Sequence, residues 1–282
     1  MNMLRAISIA FAFFVTTGTI SVASDQIPVS ARMTTDLAGR SAQIAVPSVF
    51  RVLCSSKNRG GTGFLHKSGR IITAAHVISG CQPSDIIIVG VSGKPVHVTN
   101  IVKDVHKDLA LLVPNETMHG SSLKINSADK ITIGSQVSTW GYPAGYHGRA
   151  PLLSSGYLSG LDQVKSPAGN PIPRWVVNAA FNGGNSGGPL LEIEEGTVIG
   201  VVSSKLAPMP QHIEKALAAL KQSKNITQFI RTHPDGTKEK VSTANVVEEV
   251  LQYLRSQTQL VIGYAVLSSD LRNFLRDQSI DP

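Results

Sequence analysis

The stretch Gly184-Asn185-Ser186-Gly187-Gly188-Pro189-Leu190 decides how this chain is read. Two stretches upstream of it share in the decision, Thr73-Ala74-Ala75-His76-Val77-Ile78 and Lys107-Asp108-Leu109-Ala110-Leu111-Leu112. A serine hydroxyl is a weak nucleophile unless an imidazole takes its proton, and that imidazole needs a buried carboxylate to fix its tautomer. In the order His76, Asp108, Ser186, the segments offer a general base, an orienting carboxylate and a nucleophile. The glycines around Ser186 let amides turn inward, so those of Gly184 and Ser186 are the candidate oxyanion donors. Asp108 is preferred to Asp104 because it opens an apolar run, Leu109 to Val113, that would hold the carboxylate buried. His97 and His106 sit on strand-like segments and read as surface or core residues.

The same residues satisfy G-x-S-x-G, the elbow that carries the serine of α/β-hydrolases. That elbow runs straight into a helix, whereas Gly187, Gly188 and Pro189 are poor residues for a helix interior. The elbow order is Ser, Asp, His, which would leave His76 and Asp108 unexplained.

On these motifs the chain resembles the chymotrypsin-like serine peptidases, and most of all their bacterial HtrA-type branch. Gly61-Thr62-Gly63-Phe64 with Gly69-Arg70-Ile71-Ile72 resembles the hairpin that delivers the histidine. Ser154 to Ser159 is similar to a strand that opens the second barrel, and Val261 to Val266 to the last strand, with Leu267 to Gln278 as the closing helix. The resemblance implies an all-β fold of two six-stranded antiparallel barrels, the first over about residues 46–120 and the second over about 121–270, with the cleft between them. It implies protein or peptide substrates and needs neither cofactor nor metal. By the same resemblance, Ala180 and Phe181 stand at the P1 pocket, and Ser203, Ser204 and Lys205 pair with the substrate backbone as an added strand. Ala180 replaces the aspartate of trypsin-like enzymes and Val202 the histidine of glutamyl-specific relatives, so a small or medium apolar P1 residue is expected. Asn185 cannot make the zymogen ion pair that an aspartate makes there. The PDZ modules usual in the HtrA branch are not expected after the closing helix.

Composition fits that reading. The 282 residues, 42% of them hydrophobic, suffice for one large β domain or two compact ones. Short apolar runs alternate with Gly, Pro, Asn and Asp turns from Pro47 onward, the spacing of a barrel or sandwich. Arg5, an apolar run from Ala6 to Ile20 and Ser21-Val22-Ala23 read as a signal peptide over residues 1–23, with an uncleaved anchor as the alternative. Export to the periplasm or medium follows, with no stable membrane association after cleavage. Residues 24–45 read as a mobile mature N-terminus and 46–282 as the catalytic domain. The charge of +7 lacks the aromatic–basic interleaving of nucleic-acid binders, so no nucleic-acid partner is expected.

Two cysteines, Cys54 and Cys81, bracket His76. In an exported protein an even count invites a disulfide, with two buried thiols as the alternative; lacking C-x-x-C spacing, they make a poor zinc cage. One stretch departs from the family pattern: an insertion over about residues 206–259. There Ile213, Leu217 and Leu220, then Val246, Val247, Val250, Leu251 and Leu254, follow helical spacing on either side of a Pro234-Asp235-Gly236 turn. Two amphipathic helices packed beside the second barrel are expected. On the same triad, an idle or chaperone-like peptide binder and an esterase are the rival functions.

Overall fold

A computed structural model describes residues 34, 39–127, 131–166, 169–205, 211–222, 227–232, 236–257 and 262–282. The signal-peptide reading and Pro234-Asp235 lie outside the described residues. Among the described residues no helix is long and apolar enough to cross a membrane.

Two closed antiparallel barrels form the body of the chain, as the resemblance implies. The first is built from β1 (Val49–Cys54), β2 (Arg59–Leu65), β3 (Ile71–Thr73), β4 (Ile86–Val89), β5 (Pro95–Asp104) and β6 (Leu109–Pro114), in the order β1-β2-β3-β6-β5-β4. The second uses β7 (Gln136–Gly141), β8 (Leu152–Lys165), β9 (Pro171–Asn178), β10 (Pro189–Glu192), β11 (Val198–Lys205) and β14 (Gly263–Leu267), in the order β10-β11-β14-β9-β8-β7. Helix α4 (Ser268–Asp277) closes the chain.

Strand alternation explains how the barrels meet. Successive side chains of a strand point to opposite faces. Ile71, Ala110 and Leu112 therefore fill the first barrel, while Ile72, Leu109 and Leu111 turn outward. Those outward residues join Trp140, Leu191, Val201 and Val266 of the second barrel in one buried cluster. Leu271, Phe274 and Leu275 of α4, spaced for one helical face, enter the same cluster. A shared core of this kind fixes the two barrels against each other, and with them the cleft between β6 and the Ser186 loop.

Two expectations need correction. The expectation that residues 24–45 are mobile is corrected over its last six residues. Arg40–Ser48 forms helix α1, with Ala45 and Val46 fully buried against the inter-barrel core and Ser48 Oγ donating to the Ile44 carbonyl at 2.7 Å. Burial of those small apolar side chains fixes the helix despite Pro47 near its end. His106 lies in an exposed turn between β5 and β6 rather than on a strand, because Asp104 Oδ1 accepts from the Lys107 amide at 2.9 Å and closes the turn.

The stretch after β11 holds two helices, α2 (Gln211–Gln222) and α3 (Thr243–Gln257), and between them a hairpin that the periodicity does not reveal, β12 (Gln228–Thr232) with β13 (Lys238–Ser242). Arg231 on β12 forks onto Glu249 of α3 at 3.1 and 2.5 Å, and Val241 and Ala244 are buried where strand passes into helix. The two helices pack against each other.

Candidate active site

His76 sits in a single 3-10 turn, Ala75–Ile78, whose Ala75, Val77 and Ile78 are buried. Their burial anchors the turn and leaves the imidazole facing the cleft. A disulfide joins Cys54 at the end of β1 to Cys81 just beyond that turn. Asp108 ends the β5–β6 turn in the left-handed region (φ 62), which Asp tolerates better than most residues. Its carboxylate accepts from the His76 ring Nδ1 at 2.9 and 3.0 Å and from the His76 amide at 2.9 Å. Ser203 Oγ donates to Asp108 Oδ2 at 2.5 Å. Burial pushes the Asp108 carboxyl up, but the hydrogen bonds of His76 and Ser203 and the charge of His76 outweigh it, so its pKa falls below the usual carboxylate value.

The Ser203 contact follows from an irregularity in β11. Pairing with β14 slips between Val202 and Ser204, leaving Ser203 as the extra residue, and such bulges re-aim a side chain. The Ser203 hydroxyl thus reaches Asp108, and its carbonyl accepts from Ser186 Oγ at 2.9 Å. Ser186 therefore points at the Ser203 carbonyl, and no hydrogen bond joins it to His76 among the described residues. Catalytic hydrogen bonds of this kind often close only with substrate present.

The loop around Ser186 is pinned by its carbonyls. Gly183 O accepts from the Ala144 amide at 2.6 Å, Gly184 O from Thr62 Oγ1 at 2.7 Å, Asn185 O from the Gly188 amide at 2.9 Å and Ser186 O from the Thr62 amide at 2.8 Å. The amides of Gly184 and Ser186 make no hydrogen bond among the described residues. Gly187 has φ 86, and a Cβ there would overlap the Thr62 carbonyl. Gly184, at φ 95, would likewise strike the Tyr142 carbonyl. Only glycine meets both conditions at both positions. Among the described residues, buried Asn185 has no partner for either polar atom of its amide.

Two residues of this site escaped the sequence reading. Thr62 joins the barrels through three bonds: besides those to Gly184 and Ser186, its Oγ1 accepts from the Tyr142 amide at 3.0 Å, and within the first barrel its carbonyl accepts from Thr73 Oγ1 at 2.7 Å. Buried Arg174 of β9 crosses from the second barrel, and its Nη2 donates to the carbonyl of Lys107, next to Asp108, at 2.8 Å. Burial lowers the Arg174 pKa, opposed by the carboxylates of Asp108, Asp270 and Asp104. A lone buried arginine in a strand of mixed character was the available signal.

The expected substrate-binding residues divide. Ala180 is partly exposed beside the Ser186 loop. Phe181 is 2% exposed and belongs to the core of the second barrel, its ring packed where a side chain at Gly263 would stand. Its expected place as a substrate contact is corrected to a packing one, because Gly263 leaves a space that the ring fills. Ser204 and Lys205 pair with Tyr264 and Gly263 of β14, while β10 pairs with β11 only as far as Val201. Val202 still exchanges backbone hydrogen bonds with Gly187 and Gly188 at 2.7 and 2.9 Å, so the second edge of β11 is unpaired only beyond Val202 among the described residues.

The sequence profile described as "Trypsin-like peptidase domain" matches residues 61–201, half of the chain. The chain belongs to the trypsin-like peptidase domain family. This trypsin-like domain is 35% identical over 174 residues to the uncharacterized protein y4bJ of Sinorhizobium fredii, covering 60% of this chain and 24% of that protein. It is 32% identical over 155 residues to the serine protease Do-like HtrA of Lactococcus lactis subsp. cremoris, covering 52% and 37%. Against the serine protease Rv3671c of Mycobacterium tuberculosis it is 33% identical over 148 residues, covering 50% and 35%. The active form of that protease has a solved structure sharing the fold, with a TM-score of 0.57 over 97% of this chain and 96% of that one at 20% identity. The chain thus spans between 24 and 37% of the length of these relatives. It is homologous to the HtrA/Do serine proteases.

Proposed function

We propose that this chain is an exported serine endopeptidase that hydrolyses peptide bonds through an acyl-enzyme. The observation that carries the reading is the Asp108 carboxylate held on His76 Nδ1 and its amide beside a Ser186 loop with two unengaged amides. Ser186 Oγ turns from the Ser203 carbonyl to His76 Nε2, gives up its proton and bonds to the scissile carbonyl carbon. The Gly184 and Ser186 amides take the oxyanion, each such donor contributing on the order of 3 kcal/mol to the transition state. Asp108 fixes the Nδ1–H tautomer and stabilises the imidazolium. His76 then passes its proton to the departing amine, and water activated by the same imidazole releases the acid.

The unpaired edge of β11 from Ser203 to Lys205 is the place for the acyl-side strand of the substrate. Ala180 in place of an aspartate and Val202 in place of a histidine favour a small or medium apolar P1 residue. A cation there would lose its hydration without compensation. Export rests on the leader-like first 23 residues. Fluorophosphonate treatment followed by peptide mapping tests the assignment: the adduct is expected on Ser186, with casein cleavage lost in parallel. Casein cleavage surviving full modification would refute it, and ester hydrolysis without any casein cleavage would favour the esterase.

A further inference from the structure

A cavity of about 450 Å³ opens between the β1–β2 hairpin and the 142–147 loop. Its lining includes Gly184, and also Gly61, where a side chain would run into the Ser186 carbonyl. None of residues 178–181 or 203–205, which carry the acyl side, lines it. A strand laid along the open edge of β11 therefore passes Ser186 and continues here.

The lining is cationic and uncompensated. Arg51 and Arg59 both face the cavity, and no Asp or Glu lines it. Arg51 is preset: its Nη2 donates to the carbonyls of Tyr146 and Gly148 at 2.9 and 3.2 Å, and its guanidinium lies 4.8 Å over the Tyr142 ring. These neutral partners hold the group in place without cancelling its charge, and several of its five N–H groups remain available. Arg59 is exposed, with Nη1 3.4 Å from the His76 carbonyl. Neither arginine forms a salt bridge among the described residues. The carboxylate of Asp85, outside the lining, is occupied by Ser56 Oγ and the Gln82 amide, each at 2.9 Å.

We propose that this cavity binds the leaving segment of the substrate and that Arg51 and Arg59 select an acidic side chain among its first three residues, P1′ to P3′. Three extended residues span about 10 Å, so the scan stops there. The inference rests on the peptidase reading above. It requires no new chemistry, only a carboxylate held by two guanidinium groups.

The test starts from an internally quenched peptide that the protein cleaves and places Glu, Gln or Lys at P1′, P2′ and P3′ in turn. At one position at least, Glu should exceed Gln in kcat/KM by roughly tenfold, with Lys lower still and the spread shrinking in high salt. Arg59→Glu, on an exposed side chain, should reverse the order, and Arg51→Gln should flatten it. Rates within twofold for all three residues at every position would overturn the site. So would a Glu preference unchanged in both variants. If neither casein nor any peptide is cleaved, the peptidase reading fails and the site falls with it; cleavage without charge preference rejects the site alone.

Discussion

Thr62→Val replaces a hydroxyl by a methyl of the same shape in the residue that ties the first barrel to the Ser186 loop. The hydroxyl donates to Gly184 O at 2.7 Å and accepts from the Tyr142 amide at 3.0 Å. Removing it leaves two backbone groups without partners, and an unsatisfied buried group costs about 1–3 kcal/mol. Water can reach the partly exposed Gly184, so the expected destabilisation is about 2–4 kcal/mol. For a domain of this size that lowers Tm by roughly 5–15 °C. The catalytic effect has a ceiling. Thr62 holds the Gly184 peptide but gives nothing to the substrate, so the loss cannot exceed that of one oxyanion donor, about 3–4 kcal/mol. A fall in kcat/KM of roughly 10- to 100-fold is expected, with KM little changed. Thr62→Ser keeps the oxygen and should keep both properties. Thermal melts and peptide hydrolysis at fixed pH measure them. Thr62→Val within twofold of wild type in kcat/KM, and within a degree in Tm, would refute the link.

Replacing both Cys54 and Cys81 by alanine removes a cross-link between residues 27 apart; urea unfolding should show a loss of roughly 3–4 kcal/mol, and no change would contradict the entropic account. Burial, helped by the Lys67 charge, lowers the His66 pKa to about 4 from 6.5. The unfolded chain therefore binds the extra proton first, and stability should be flat above pH 7 and fall between about pH 6.5 and 4, by on the order of 2–3 kcal/mol. Urea midpoints across that range should level in His66→Gln; an unaltered slope would count against it. Phe181→Val should leave a cavity over Gly263 in the core of the second barrel and cost roughly 2–4 kcal/mol in urea unfolding; an unchanged midpoint would contradict its packing role.

The legible parts of the fold are those with strong local pattern. Val49–Cys54 and Leu109–Pro114 alternate or run apolar between turn residues and form strands where expected. The co-linear His76, Asp108 and Ser186 segments named the fold because few other architectures need all three. Less legible features depend on tertiary contact. Nothing local marks Ser203 as the partner of Asp108, since its direction comes from a slip in β11 pairing. Thr62 reads only as part of the hairpin that delivers the histidine until the barrels close on it. Helix α1 is short and includes Pro47, so its helical pattern is faint. Hairpin β12–β13 has outward-facing polar residues and adjacent exposed Phe229 and Ile230, which break the period-2 signal.

The central claim is that Ser186, His76 and Asp108 work as one unit, and a double-mutant cycle tests it most directly. Ser186→Ala and His76→Ala should each lower kcat by roughly 10⁶-fold, and the double variant by little more. Circular dichroism and Tm should stay those of wild type. Substantial peptide hydrolysis by Ser186→Ala, or losses that multiply in the double variant, would contradict the account.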